Sequence, residues 1–363
     1  MRTYTNLYRE MCSFENLHRA FIKARKGKSS NPYVAAFQLH LEGELLQLKH
    51  ELETMTYKPR PLKQFMIKDP KTRLISALHF RDRVVHHALC IILEPIFELR
   101  FIADSYANRK GKGTLAAVLK FDDYKRKISG NGKLLPYAKD NNCVFGYVLK
   151  ADVKKYFDSV DHEVLMQVIG RRIHDEQVLL LVKTILDNHL CKVPGKGMPI
   201  GNMTSQFFAN VYLNELDYFV KHTLRAKCYI HYVDDFIILD ASKEQLEHCK
   251  AAISEFLQQL KLELHPQKSK VAPLSAGVTF LGFRIFYQYK LLKKSNRKRI
   301  IQRIAQFVEQ YQSGHISEEE MFERLEGWNA YAMYANTYAF RTMLMKHVRQ
   351  AVKNSCYFSS FCI

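Results

Sequence analysis

What the chain lacks narrows it first. None of its eight cysteines (Cys12, Cys90, Cys143, Cys191, Cys228, Cys249, Cys356, Cys362) stands in a C-x-x-C pair, and several lie inside apolar runs. Buried reduced thiols are the expected state, and the spacing argues against a zinc site. No run of about 18 apolar residues occurs that could span a bilayer, and no basic amphipathic helix shows a wide apolar face. The opening MRTYTNLYRE is polar, without the apolar core of a signal peptide, so a cytoplasmic protein is expected. No G-x-x-x-x-G-K-S/T loop is present to cradle a nucleotide. Acid is scarce as well. Against 55 Lys and Arg stand 36 Asp and Glu, a net charge of +19 that points to a polyanionic partner. Lys and Arg contacts to phosphate release counterions, which rewards such a balance. The 363 residues, 47% of them hydrophobic, suffice for one large multi-lobed enzyme or two to three subdomains.

Two adjacent aspartates occupy an unusual place. KCYIHYVDDFIILD, Lys227 to Asp240, alternates to Val233, breaks at Asp234–Asp235 and resumes with Phe236 to Leu239. Two such runs around a two-residue break read as a tight hairpin. Turn chemistry alone would prefer Asn-Gly or Asp-Gly there. Neighbouring carboxylates between apolar strands are costly unless cations offset them. A divalent metal is the simplest compensation, and Mg²⁺ takes one or two carboxylates plus substrate phosphates. A solvent-facing acidic tip is the plainer reading of the pair by itself. Upstream, CVFGYVLKADVKKYFDSVDHEVLMQVI opens as a buried strand ending at Asp152, and Asp161 is placed to cap the helix that follows. Asp152 then lies at a strand's C-terminal end, where open sheets place ligands. Together Asp152, Asp234 and Asp235 make a carboxylate set suited to two-metal phosphoryl transfer.

In this combination the chain resembles the reverse transcriptases. LKADVKKYFD matches their motif A, YVDD their motif C, and MPIGNMTSQFFANVYLNEL their motif B, in order and spacing, within a likeness from about Tyr57 to Arg349. The fold so implied is α+β, a right-hand polymerase with fingers, a ferredoxin-like βαββαβ palm and an α-helical thumb. Its expected bounds are a helical extension over 1–56, fingers over 57–143 with 190–204 contributing, palm over 144–286, thumb over 287–353 and a tail over 354–363. The implied reaction is RNA-templated addition of deoxynucleotides to a 3′ hydroxyl by two Mg²⁺, with Mn²⁺ as a substitute. Asp152 and Asp234 would hold the ions, Asp235 would support them, and the Val153 carbonyl would complete one shell.

Further roles follow from the same resemblance. Lys68 and Arg73 would hold the incoming triphosphate as point charge and fork, with Lys71 an alternative to either. Phe157 would close on the sugar C2′ and select deoxynucleotides, and it also reads as a core aromatic on a strand. SYANRKGKGTLAAVLKF is similar to a template-contacting segment in which Arg109, Lys110 and Lys112 supply charge and glycines allow close approach. Asp122 to Asn142 reads as a polar surface loop. Lys268, preferred to Lys270, matches a lysine beside the leaving pyrophosphate and is a candidate general acid. Lys154 and Lys155 are candidates to lean toward phosphate, whereas His86 and His87 read as structural. Val278 to Phe286 resembles the primer-grip strand pair. From Lys290 the composition turns helical, and Lys293, Lys294, Arg297, Lys298, Arg299 and Arg303 suggest a template–primer track in and before one helix.

The glycine turn departs from the usual pattern. Most reverse transcriptases carry Q-G-x-x-x-S-P, whereas Ile200-Gly201 and Ser205-Gln206 stand here. Gly201 would let backbone lie close to the nascent base pair, and Ser205 and Gln206 would enter an amphipathic helix on one side. The I-G-x-x-x-S-Q form resembles the enzymes of diversity-generating retroelements, bacterial or phage-encoded, which copy a template RNA with frequent errors opposite adenine. Losing an amide beside the nucleotide is a route to low selectivity. Kinship implies template RNA, the RNA/cDNA duplex, dNTPs and a pentameric accessory variability protein as partners. The rivals are a group II intron-like or phage-defence reverse transcriptase, expected to carry further domains, and a non-catalytic RNA-binding scaffold. A scaffold has no need of paired acids beside a polyanion.

Overall fold

The computed structural model describes residues 2–68, 72–189 and 193–359, the stretch 353–359 as backbone only. Lys71, Cys191 and Cys362 lie outside the described residues, as do the side chains of the tail. The chain divides into two compact units, one of residues 1–110, 150–237 and 248–270, the other of 111–149, 238–247 and 271–363.

The first unit opens with α1 (Leu7–Met11), α2 (Phe14–Arg25), α3 (Pro32–Leu39) and α4 (Leu41–Glu53). Ser13 caps α2 by accepting from Asn16 N–H, and Pro32 sits at the first turn of α3, where a missing N–H costs nothing. Leu17, Ala20, Phe21 and Ala24 form a buried stripe at helical spacing. An antiparallel pair follows, β1 (Lys63–Ile67) and β2 (Arg73–Ala77), with Ile67 opposite Arg73. Helix α5 (Phe80–Glu98) packs on α2. In the second unit α6 spans Thr114–Ile128, so the segment expected to be a loop from Asp122 begins as helix. The reason is Lys125, which is buried and would be too costly to leave unpaired. Its ammonium meets Asp122 at 2.7 Å and the Phe286 carbonyl at 2.9 Å.

Next come β3 (Tyr147–Asp152), α7 (Tyr156–Ser159), α8 (His162–Gly170), α9 (Glu176–Asp187) and α10 (Met203–Tyr218), which runs into a π-turn. After them lie β4 (Cys228–Tyr232), β5 (Asp235–Asp240), α11 (Lys243–Gln259) and β6 (Lys270–Pro273). The sheet order is β4-β5-β3-β6, the split βαβ arrangement expected of the palm. Helix α10 differs from the expected amphipathic form. It packs against both α5 and α8, so nearly its whole circumference is buried, polar Asn210 and Asp217 included.

The second unit continues with β7 (Val278–Phe280), β8 (Phe283–Ile285) and β9 (Lys290–Leu292), then α12 (Lys294–Gln312), α13 (Glu318–Ala332) and α14 (Tyr338–Ser359). Lys290 to Leu292 is thus a third strand paired to β8, where a helical start to the thumb was expected. Leu281 and Gly282 both have positive φ, the two-residue hairpin geometry that matches strand twist. A Cβ on Gly282 would overlap the Tyr331 hydroxyl. Ile300, Ile304, Met321, Leu325, Leu344 and Val348 form the core of the three helices, and a Ser317–Glu320 capping box starts α13. Among the described residues no helix is long and apolar enough to cross a membrane. Cys12, Cys90, Cys228 and Cys249 are buried and in no disulfide, and Cys143 is partly covered.

Candidate active site

Asp152 is the last residue of β3, and the β4–β5 hairpin lies beside it. The hairpin turns at Val233–Asp234, one residue earlier than expected, so Asp235 is the first residue of β5. Val233 has φ +56°, an unfavourable state for a β-branched residue. The shift lets the Asp234 carbonyl accept from Val153 N–H at 3.0 Å, which fixes Asp152 and Asp234 as neighbours across the two elements. Asp152 is itself pinned. Its carbonyl accepts from His265 N–H at 2.7 Å, and its N–H donates to Ser269 Oγ at 3.3 Å. Lys268 Nζ donates to Asp152 Oδ1 at 2.8 Å, and Lys150 Nζ stands 4.0 Å from Asp235 Oδ1.

Burial pushes the Asp234 carboxyl above its usual range, Asp152 adds to the rise, and Lys268 and Arg73 oppose it. Burial raises Asp235 to about 6, with Lys150 opposing and the other two aspartates adding. Mutual repulsion is the signature of acids gathered to meet positive charge. Among the described residues, however, no three His, Cys, Asp or Glu side chains stand close enough to hold a metal ion alone. The three carboxylates form a loose set, with Lys268 bonded to Asp152 and Lys150 at 4.0 Å from Asp235. Such hard-oxygen donors still fit Mg²⁺, which accepts one or two carboxylates and completes its octahedron with phosphates and water.

Phe157 lies on the short helix α7 rather than on a strand, edge-on to Tyr156 at 5.5 Å. Its carbonyl accepts from Met198 N–H at 2.7 Å, which brings the glycine turn alongside. Ile200 accepts from Ser76 N–H of β2 at 3.3 Å. Gly201 has φ +109°, and a Cβ there would press on Ile75 at 3.0 Å, so the turn requires glycine. Arg73 starts β2 with its charge felt at Asp234, and Lys68 is exposed just past β1. Ser205 is buried and Gln206 exposed, which corrects the expectation of a shared side. Successive helical residues point about 100° apart. His86 is structural as expected. It meets Thr204 Oγ1 at 2.8 Å and burial lowers it to about 3, hence a neutral ring.

Among the basic residues Arg109 is placed otherwise than expected. Its guanidinium forks onto Glu98 and donates to the carbonyls of Ile102 and Ser105 at 2.6 and 2.8 Å. It knots a loop with four of its five N–H donors, and its side chain is only 6% exposed. Arg109→Ala is accordingly expected to lower stability by about 1–3 kcal/mol in urea melts, the cost of leaving two loop carbonyls without their donor. The salt dependence of RNA binding should stay unchanged; a slope shallower by about 1 would return the residue to the RNA-binding set. Lys154 is likewise engaged, by Glu263 at 2.7 Å. Lys110, Lys293, Lys294, Arg297, Lys298 and Arg303 are exposed, and Lys112 and Arg299 are half-buried.

Three residues escaped the sequence reading. Lys150 had a legible signal, since strand alternation puts it on the face of Asp152. His231 and Asp217 had none. They meet only through the tertiary fold, Nδ1 to Oδ2 at 2.9 Å, and both are 1% exposed.

Comparison with known proteins bears on this geometry. Residues 66–285 match the family model described as reverse transcriptase (RNA-dependent DNA polymerase). The chain is 28% identical over 288 residues to protein YkfC of Escherichia coli K12, covering 68% of this chain and 72% of that protein. It is 24% identical over 315 residues to the group II intron-encoded protein LtrA of Lactococcus lactis, covering 67% of this chain but only 50% of LtrA. Telomerase from Candida albicans, solved with a fragment of telomeric RNA, superposes with a TM-score of 0.53 at 11% identity, over 84% of this chain and 56% of that one. That likeness concerns the fold, a right-hand polymerase. A family match over more than half of the sequence decides the rest, and the chain belongs to the reverse transcriptases.

Proposed function

We propose that this chain copies an RNA template into DNA at Asp152, Asp234 and Asp235, and that it does so as the error-prone enzyme of a diversity-generating retroelement. The observation that carries the first half is the Val153–Asp234 backbone bond, which holds two acids from distant parts of the sequence side by side under Lys268. Two divalent ions bound there would supply charge to ionise the 3′ hydroxyl and to offset the leaving pyrophosphate. The protein's own part is positioning. Asp152 would present its oxygens from the end of β3 and Asp234 from the hairpin turn, with Asp235 beside them and the Val153 carbonyl as a further donor. Arg73 and Lys68 offer fork and point charge to the triphosphate. Lys268, held on Asp152, is poised to pass to the pyrophosphate as it leaves and to give it a proton. Phe157 is the candidate gate against a 2′ hydroxyl. Lys110, Lys112 and the exposed basic row of α12 offer sequence-independent contacts to phosphate.

The second half rests on Ile200 and Gln206, which stand where Gln and Pro are usual. Ile200→Gln restores one hydrogen bond beside the incoming nucleotide, worth about 1.4 kcal/mol or tenfold. Sequencing of cDNA from a defined RNA should show errors concentrated at template adenine in the wild type, and about tenfold fewer in the variant. Uniformly faithful wild-type product would favour the second reading, an intron-type enzyme, which the likeness to LtrA supports. As a retroelement enzyme the chain would work with a pentameric accessory protein, and its addition to the same assay should raise yield on the cognate RNA.

A further inference from the structure

We infer that His231, through a bond to the Val233 carbonyl, is the positioning residue that holds the aspartate-bearing turn in its strained shape. The inference deepens the proposed polymerase reading and rests on Asp234 and Asp235 being its catalytic acids. His231 lies on β4, 1% exposed, with each ring nitrogen against an oxygen. Nδ1 meets Asp217 Oδ2 at 2.9 Å and Nε2 meets the Val233 carbonyl at 2.6 Å. The Val233 carbonyl can only accept, so Nε2 carries a hydrogen and donates to it. Asp217 also accepts from the Tyr229 hydroxyl at 2.7 Å. Asp234 also acts on the ring's charge, and the Asp104–Tyr106 segment bonds to the backbone of His231 on both sides. Burial alone would lower the ring's pKa, and Asp217, the Val233 carbonyl and Asp234 together outweigh it to leave the shift upward.

The bond to Val233 has a clear task. A β-branched residue at φ +56° is strained and persists only where its surroundings over-determine it. His231 grips the turn on one side, and Val153 N–H grips the next carbonyl on the other at 3.0 Å. Asp217, on α10, thereby transmits the buried helix's rigidity to the hairpin tip.

Two amides separate this role from simple core packing. In His231→Gln the amide nitrogen reaches where Nε2 was, while in His231→Asn it reaches where Nδ1 was. Steady-state extension should show His231→Gln close to wild type. His231→Asn should lose roughly 10²-fold in kcat, as expected for a small misplacement of reacting groups. Template–primer Kd should be unchanged in both. The reverse order, or equal loss, overturns the assignment. ¹⁵N spectra of wild-type protein labelled at histidine, with His231→Gln assigning the resonance, should show a protonated Nε2 near neutral pH. A bare Nε2 overturns it even if neither variant folds. Asp234→Ala, run alongside, keeps the failures apart: its activity would sink the polymerase reading, whereas inverted His231 variants would sink this inference alone.

Discussion

Asp234→Ala is expected to cut primer extension on an RNA template by at least about 10³-fold while leaving template–primer affinity unaltered. The asymmetry follows from what the residue touches. Asp234 lies at the hairpin tip with its carbonyl bound to Val153 N–H, and that bond uses only backbone, which alanine preserves. The carboxylate alone is lost, and with it an oxygen donor next to Asp152. Nucleic-acid affinity is carried by Lys and Arg contacts to phosphate, and removing an acid beside a polyanion weakens none of them. The measurement pairs a gel-based extension assay with a binding titration at fixed salt. Residual synthesis within tenfold of wild type would sink the site assignment and favour an RNA-binding scaffold.

Asp235→Asn is expected to abolish synthesis yet make the metal-free protein more stable. The fold raises this carboxyl from 3.8 to about 6, so it binds a proton more readily folded than unfolded. The sign follows: with a raised acid, stability falls as pH climbs from 3.8 through about 6, and the full cost is present at neutral pH. The shift corresponds to roughly 2–3 kcal/mol, and with the side chain 30% exposed the lower end is the better expectation. In chelator, urea melts of the variant should therefore exceed the wild type by about 2 kcal/mol at pH 8 and converge with it near pH 4. Added Mg²⁺ should stabilise the wild type and leave the variant nearly unmoved, since only the wild type keeps the full donor set. A variant less stable than wild type at pH 8 in chelator would mean that Lys150, 4.0 Å away, outweighs burial and repulsion.

Some elements were legible because their causes are local. Asp161 was read as a helix cap and accepts from Val164 N–H at 3.2 Å. The break in alternation at YVDD announced a hairpin, and strand length put Asp152 at an end. The misreadings share one origin, a partner that neither propensity nor alternation marks. Arg109 looked like a free cation because Glu98 and two carbonyls could not be foreseen as its ligands. The stretch from Asp122 looked like a loop because burial of Lys125 against Phe286 is a long-range fact. Helix α10 looked amphipathic because its second covered face belongs to α5.

Sequence alone determined which chemistry is possible: three acids bordered by apolar strands, a surplus of positive charge for a polyanion, and a glycine turn with Ile200 in place of an amide. Tertiary structure alone decided how the acids stand, through the turn placed one residue early at Val233, the backbone bond from Val153, and the buried His231–Asp217 pair behind them. The division has a physical cause. Propensity and alternation act over neighbouring residues and leave a mark in the string, whereas register, burial and the partner of a charge are fixed by which surfaces meet.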